Sequence, residues 1–380
     1  MSDLSISLRA LEQGRSQLPV SHYFDEALFR EEQRLIFEQA PRYLGHALAL
    51  PQVGDFHALP QESEGRALVR RREGPDGIEL IGNVCRHRQA LMLRGRGNTQ
   101  QHVVCPLHRW TYDLSGKLVG APHFAQDPCL NLRNHPVQSW NGLLFEAHGE
   151  RRIATDLADL SVTADLDFTG YQLDRIELHE CNYNWKTFIE VYLEDYHVGP
   201  FHPGLGNFVT CDDLRWEFGR HHSVQTVGAR SLQRAGTPTY RRWHDAVQSF
   251  RNGVPPAQGA IWLTLYPTVM VEWYPHVLVV SSLHPMGVQR TLNVVEFYYP
   301  EEIVAFEREF VEAQQAAYME TCIEDDEIAE RMDAGRRVLM ERGEDDAGPY
   351  QSPMEDGMQH FHEWYRGMMG DAVGPAPRSA

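Results

Sequence analysis

Cys85-Arg-His-Arg-Gln-Ala-Leu-Met-Leu-Arg-Gly-Arg-Gly-Asn-Thr-Gln-Gln-His-Val-Val-Cys-Pro-Leu-His108 is the stretch from which the rest of the chain is read. It contains C-x-H, seventeen intervening residues, and C-x2-H. Two thiolates and two imidazoles on paired loops can hold a [2Fe-2S] cluster, with the cysteines on one iron and the histidines on the other. That arrangement raises the potential above that of an all-cysteine cluster. Tetrahedral zinc is the competing reading, since ligand softness permits it. Zinc fingers, however, pair cysteines about two to four residues apart and then pair histidines, so the interleaved order here favours the cluster. The expected ligands are Cys85, His87, Cys105 and His108.

The surroundings of this stretch predict a compact all-β module over residues of about 45 to 150. Pro51-Gln-Val-Gly-Asp, Arg72-Glu-Gly-Pro-Asp-Gly, Arg94-Gly-Arg-Gly-Asn and Leu114-Ser-Gly punctuate apolar runs of strand length. Upstream, Phe24, Leu28, Leu35, Ile36 and Phe37 recur at helical spacing, which predicts a helix within residues 20 to 40. Downstream, four apolar runs starting at Ala260, Thr268, Val277 and Thr291 predict an antiparallel sheet, followed by helix from Pro300 to about Arg342. The Gly- and Pro-rich tail from Gly370 is expected to fray. A formal charge of −18 argues against nucleic acid and anionic membranes as partners. Six scattered cysteines, the lack of a basic-then-apolar leader and the lack of an apolar span predict a cytoplasmic protein. Charge is uneven. Ten Lys/Arg against four Asp/Glu lie between Arg66 and Lys117, whereas residues 301 to 380 hold seven basic and twenty acidic side chains.

A second constellation lies in Asn184-Trp-Lys-Thr-Phe-Ile-Glu-Val-Tyr-Leu-Glu-Asp-Tyr-His-Val-Gly-Pro-Phe-His-Pro-Gly-Leu205. On an unbroken helix, residues five apart point about 140° away from each other, so His197 and His202 can share a metal only if the helix ends between them. Gly199-Pro200 is expected to supply the break, with His197 in the last turn of a helix and His202 on the following turn. Glu194, three residues before His197, would share its face and orient the imidazole.

On these residues the chain resembles the oxygenase α subunit of the Rieske non-haem iron aromatic-ring-hydroxylating oxygenases over nearly its whole length. The likeness is carried by Tyr23 to Gly54, Asn83-Val-Cys-Arg-His-Arg, Cys105-Pro-Leu-His-Arg-Trp-Thr-Tyr-Asp, Gly120-Ala-Pro, Asn184-Trp-Lys, the His197/His202 motif and Asp356-Gly-Met-Gln-His-Phe-His-Glu-Trp. Respiratory Rieske proteins usually add a disulfide behind the ligand pairs, and this chain has Ala90 and no cysteine nearby.

The resemblance implies an α+β chain: an all-β Rieske [2Fe-2S] domain plus a helix-grip (START-like) catalytic domain with a central antiparallel sheet flanked by helices. Its parts would be an N-terminal helical segment, residues 1–40, packing on the catalytic domain, the Rieske domain at 41–155 and the catalytic mononuclear iron domain at 156–380. Glu324-Asp-Asp-Glu-Ile-Ala-Glu-Arg-Met-Asp-Ala-Gly335 is similar to the family's third-ligand segment and registers that ligand on Asp325, with Asp326 as the alternative; Asp333 stands where glutamine is common. A homotrimer is implied, with or without a small β subunit, in which Glu194 bridges the iron of one subunit to His108 of its neighbour. Glutamate here is similar to members acting on quaternary amines, many ring hydroxylases having aspartate. Val191 and Arg109 depart from the usual asparagine and glycine.

Cofactors implied are the [2Fe-2S] cluster, Fe(II) on His197, His202 and Asp325, and O₂ as co-substrate. Electrons would come from NAD(P)H through a separate reductase or ferredoxin, since the chain has no glycine-rich dinucleotide fingerprint. They would pass through His108 and Glu194 to the iron, and the basic stretch around Cys85 and Cys105 would dock an acidic donor. Pocket candidates are Glu190, Phe208, Trp262, Tyr266, Met270, Trp273 and Tyr274. The expected substrate is a small aromatic, undergoing mono- or dihydroxylation or oxidative demethylation. A choline-, betaine- or carnitine-like quaternary ammonium held by cation–π attraction is the alternative. A Rieske electron-transfer protein without catalytic iron is the alternative of another class.

Overall fold

The computed structural model describes residues 16–74, 77–147, 151–230, 232, 236–345 and 347–373. The first fifteen residues of the N-terminal segment, Pro75-Asp76 of the Arg72 turn and the tail beyond Val373 lie outside them. The chain divides into two units, Gln39–Leu160 and Met1–Glu38 with Ser161–Ala380.

In Gln39–Leu160 the turn residues cut the chain into strands of two to five residues. A five-stranded antiparallel sheet runs in the order Arg96–Asn98, Asp55–Ala58, Arg66–Arg70, Ile78–Gly82, Asn134–His135. Ala67, Leu68 and Val69, all without exposed surface, pair with Ile81, Leu80 and Glu79. His102–Val104, Thr111–Asp113 and Leu118–Gly120 form a three-stranded sheet, and in another Leu143–Glu146 is the middle strand between Arg42–His46 and Val137–Trp140. Val69, Ile81, Leu93, Val103, Trp110 and Tyr112 pack into one core with Cys85 and Cys105, so burial of the strands also sets the two cysteine loops.

The second unit centres on a seven-stranded antiparallel sheet: β1 (Tyr171–Cys181), β2 (Val209–Phe218), β3 (His222–Ala229), β4 (Ala260–Leu265), β5 (Val269–Tyr274), β6 (Val277–Gly287) and β7 (Arg290–Pro300), in the order β1-β7-β6-β5-β4-β3-β2. The sequence reading anticipated β4 to β7, whose burial is almost continuous, and not β1 to β3. β1 and β2 are edge strands that mix exposed and half-buried positions, so no apolar run marks them. Five helices matter for the site: α1 (Glu26–Glu32), α2 (Trp185–Tyr192), α3 (Pro238–Phe250), α4 (Arg308–Glu341) and α5 (Asp356–Met369). The expected helix from Pro300 is interrupted at Glu307, whose φ of −121° and ψ of 54° separate a six-residue helix from α4. Ala313 and Ala317 of α4 are buried against a core that includes Trp243 of α3, Trp262 of β4 and Phe297 of β7. Small side chains there let the helix lie close to its neighbours. α1 runs on into a π-helical turn, Gln33–Phe37, and packs with α2 and α5 around Tyr23, Trp185, Ile189, Phe361 and Tyr365.

Asn184-Trp-Lys turns out to be the joint of that packing. Asn184 caps α2 through Oδ1, accepting from Lys186 N at 2.9 Å, while its Nδ2 donates to Tyr23 O and Val288 O. Lys186, with no exposed surface, places Nζ 2.6 Å from Glu32 Oε1, which also accepts from Tyr365 Oη at 2.7 Å, while Trp185 Nε1 donates to Oε2. A buried charge pair whose carboxylate is further hydrogen-bonded in this way satisfies the condition under which such a pair is tolerated in a core.

Candidate functional site

The two cysteine loops are built alike. Cys85 N donates to Ala90 O and Gln89 N to Cys85 O; Cys105 N donates to Trp110 O and Arg109 N to Cys105 O. Each loop turns through a left-handed residue four after its cysteine, Gln89 at φ 53° and Arg109 at φ 59°. Both cysteines are buried, His87 is half-buried and His108 is exposed. The rings of His87 and His108 lie 4.7 Å apart, and His87 stacks on Trp110 at 4.9 Å. Tyr112 Oη stands 3.7 Å from Cys85 Sγ. Among the described residues, the groups that bring three ligand atoms within 4.8 Å are His179/Cys181/Asp326 and His197/His202/Asp325, so the two cysteines and two histidines do not converge as ligands of a single ion would. Thiolate and imidazole donors spread over two loops suit a two-iron cluster.

The left-handed backbone at Arg109 explains why glycine is common there, since a side chain costs about 1–2 kcal/mol in that region. Arg109→Gly is expected to stabilise the protein by about 1 kcal/mol, read from the denaturation midpoint; a lower midpoint would contradict this.

The second centre forms where α2 ends. The helix stops at Tyr192, five residues before His197, so His197 does not lie in its last turn as expected. It caps a one-turn helix, Val198–Phe201, closed by Phe201 N to His197 O at 2.8 Å and His202 N to Val198 O at 3.2 Å. Pro200 fits inside that turn because a first-turn residue needs no donated backbone bond. His197 Nε2 and His202 Nε2 are 3.0 Å apart, and Asp325 Oδ1 lies 3.5 Å from the first and 3.0 Å from the second. Octahedral ligands with bonds of about 2.1 Å sit roughly 3.0 Å from each other, so these three atoms fit one face of such a site. The outer nitrogens meet carboxylates, His197 Nδ1 at 2.5 Å from Glu194 Oε1 and His202 Nδ1 at 2.7 Å from Glu324 Oε2. A carboxylate at Nδ1 keeps the proton there, leaving both Nε2 lone pairs turned towards each other and towards Asp325. Burial alone would lower His197, but Asp325 and Glu194 push it up to about 10.

Asp326 points elsewhere, accepting from Tyr183 Oη at 2.7 Å and facing His179 Nε2 at 2.7 Å. Asp325 is thus the aspartate brought to the histidines. Asp333 accepts from Asn184 N and Thr187 Oγ1 and takes no part.

A cavity of about 80 Å³ opens beside the three ligands. Phe208, Trp262 and Tyr274 line it. The other four candidates do not. Glu190 is committed to Arg336, His362 and Tyr23. Tyr266 is bonded to Ser223 and His360, and Met270 packs with Tyr266 in the α2–α5 core. Trp273 lies one residue out of phase with Glu272 and Tyr274 on β5, which turns it to the opposite face.

A family model described as the ring hydroxylating alpha subunit (catalytic domain) matches residues 163–371, and one described as the Rieske [2Fe-2S] domain matches residues 45–140. The chain belongs to the Rieske ring-hydroxylating oxygenase α subunits. Putrescine 2-hydroxylase of Ralstonia nicotianae is 66% identical over 370 residues, spanning 97% of this chain and 100% of the relative. The protein of the same name from Bordetella bronchiseptica is 60% identical, spanning 94% and 85%. Among solved structures, the quaternary ammonium Rieske monooxygenase CntA with a bound inhibitor superposes with a TM-score of 0.73 at 19% identity, covering 94% of this chain and 96% of that one.

Membership makes the chain a non-haem iron oxygenase that carries a [2Fe-2S] cluster and uses Fe(II) and O₂, and the electron-transfer alternative falls. Among the described residues no helix is long and apolar enough to cross a membrane. Sequence reasoning missed Glu324, which looks like one more acid on an acidic helix, and Glu272, Tyr192 and Tyr318 of the cavity wall. The only signal for Glu324 was its place directly before Asp325. Glu324→Gln is expected to weaken Fe(II) binding about 10–100-fold while cluster content is unchanged, measured by equilibrium dialysis; equal affinity would remove Glu324 from the site.

Proposed function

We propose that this oxygenase hydroxylates an aliphatic carbon of a small diamine, putrescine or a close analogue. The observation that carries the reading is the 66% identity to a putrescine 2-hydroxylase along that relative's full length. The cavity supports it: Glu194, Asp195, Glu272 and Asp325 line it together with aromatic rings, and no lysine or arginine does so among the described residues. Such walls suit a cation with an apolar middle. The small aromatic substrate expected from the sequence is not carried forward, because a neutral ring gains nothing from buried carboxylates, nor is dihydroxylation, because both relatives are named as 2-hydroxylases.

Cys85, His87, Cys105 and His108 would hold the cluster, and His197, His202 and Asp325 the iron. When bound, these groups supply single electrons and activation of O₂. Glu194 and Glu324 hold the histidine tautomers, and the rings of Tyr192, Trp262 and Tyr274 exclude water and seat the methylenes. A separate reductase or ferredoxin would supply the electrons. A homotrimer with Glu194 as the link to His108 of a neighbouring copy remains part of the reading. The neighbouring carboxylate, Asp195, is less suited to that task because it is only 2% exposed.

The test is a single turnover: the metal-loaded protein, chemically reduced, is mixed with labelled O₂ and putrescine, L-carnitine or naphthalene. Hydroxyputrescine carrying one labelled oxygen is expected. Product from L-carnitine or naphthalene and none from any diamine would overturn the proposal.

A further inference from the structure

Glu272 is a cavity carboxylate set apart from the histidines. It lies on β5 opposite Trp262 of β4, and Tyr274, two residues on, shares its face. Its exposure is 1%, yet among the described residues it has no cationic partner. Two neutral donors hold it: Tyr318 Oη of α4 at 2.7 Å from Oε1 and Tyr274 Oη at 2.8 Å from Oε2. Tyr274 Oη in turn accepts from Trp262 Nε1 at 2.9 Å, which leaves its own proton for Glu272. Each carboxylate oxygen keeps a free lone pair. Around it the rings form walls, with Trp262–Tyr274 and Tyr274–Tyr318 centroids at 6.3 Å and Tyr192–Trp262 at 6.5 Å. Tyr192 Oη is buried in this wall with no partner among the described residues.

Burying a carboxylate against neutral donors alone is costly, and glutamine in its place would remove that cost. Burial pushes the Glu272 carboxyl up to about 7 in spite of the bonds from Tyr318 and Tyr274. What would complete the arrangement is a positive charge with hydrogens to give, facing aromatic rings. A primary ammonium supplies both, and a quaternary one cannot donate to the free lone pairs.

We propose that Glu272, positioned by Tyr274 and Tyr318 and walled by Tyr192 and Trp262, is the subsite that binds one primary ammonium of the substrate. This rests on the diamine reading above. It makes Glu272 a specificity residue: it fixes one end of the chain, so that the carbons next to that end are presented towards His197, His202 and Asp325, which border the same cavity.

Glu272→Gln keeps the shape and can keep both tyrosine contacts while removing the charge. With the metal-loaded enzyme and putrescine, KM is expected to rise by about 100-fold or more with kcat much less affected, as for truncation of one partner of a buried charge pair. Binding of butane-1,4-diol, which has the length without the charge, is expected to change less than threefold or so. Glu272→Asp, which keeps the charge and withdraws it, is expected to fall between the two and serves if the glutamine variant does not fold. A wild type active on putrescine and a folded Glu272→Gln variant with unchanged KM would overturn this inference and leave the diamine reading standing. So would a fall in kcat alone, or a loss of binding with the diol as large as with the diamine. A wild type that neither binds nor hydroxylates putrescine would overturn both.

Discussion

Asp325→Ala is expected to leave the protein with its [2Fe-2S] cluster and without its mononuclear iron, with turnover lower by on the order of 10³-fold or more, as when one member of a unit acting together is removed. The reason is geometric. Asp325 Oδ1 is the carboxylate oxygen that meets both Nε2 atoms, at 3.0 and 3.5 Å, and among the described residues it has no hydrogen-bond donor of its own. Asp326→Ala is the informative control, since that side chain faces His179 and Tyr183. It is expected to retain the iron and most of the activity. Iron content by elemental analysis beside the visible spectrum of the cluster separates the two variants; the reverse pattern would shift the ligand by one residue.

Lys186→Met is expected to cost about 3–5 kcal/mol of stability, a large part of the roughly 5–15 kcal/mol that a domain has. The substitution removes the cation from Glu32 and leaves a carboxylate with 1% side-chain exposure facing, among the described residues, only Tyr365 Oη and Trp185 Nε1. It also removes the charge from a site where Nζ lies between 5.2 and 5.6 Å from the rings of Tyr23, Trp185 and Tyr365. Adding Glu32→Gln should recover much of the loss, because the stranded charge is then gone. Denaturation midpoints of the single and double variants measure this. A single variant as stable as the parent would mean that the pair contributes nothing to the packing of α1, α2 and α5.

The metal chemistry was legible because ligands of fixed type at fixed spacing leave few alternatives, as in Cys85-Arg-His87 with Cys105-Pro-Leu-His108. Strands β4 to β7 were legible from their apolar runs. The edge strands β1 and β2 were not, since an edge with half-exposed positions has no periodic apolar signal. His197 was expected inside a helix because Gly199-Pro200 was read as its end; proline in a first turn is equally at home, and the break had come earlier, at Leu193. Polar residues were hardest. Glu190 was expected in the pocket and instead neutralises Arg336, whereas Glu272, on a strand that reads as ordinary sheet, faces the cavity. A sequence pattern gives the face a side chain occupies. It does not give the partner that a buried charge will find.

Two separate iron centres in one chain are tested most directly by iron and acid-labile sulfide per chain. The protein is purified anaerobically and supplied with Fe(II), and the electron paramagnetic resonance spectrum of its reduced form is recorded alongside. Roughly three irons and two sulfides with a Rieske-type signal are expected. Two irons and two sulfides after Fe(II) addition would leave the cluster and contradict the catalytic centre at His197, His202 and Asp325.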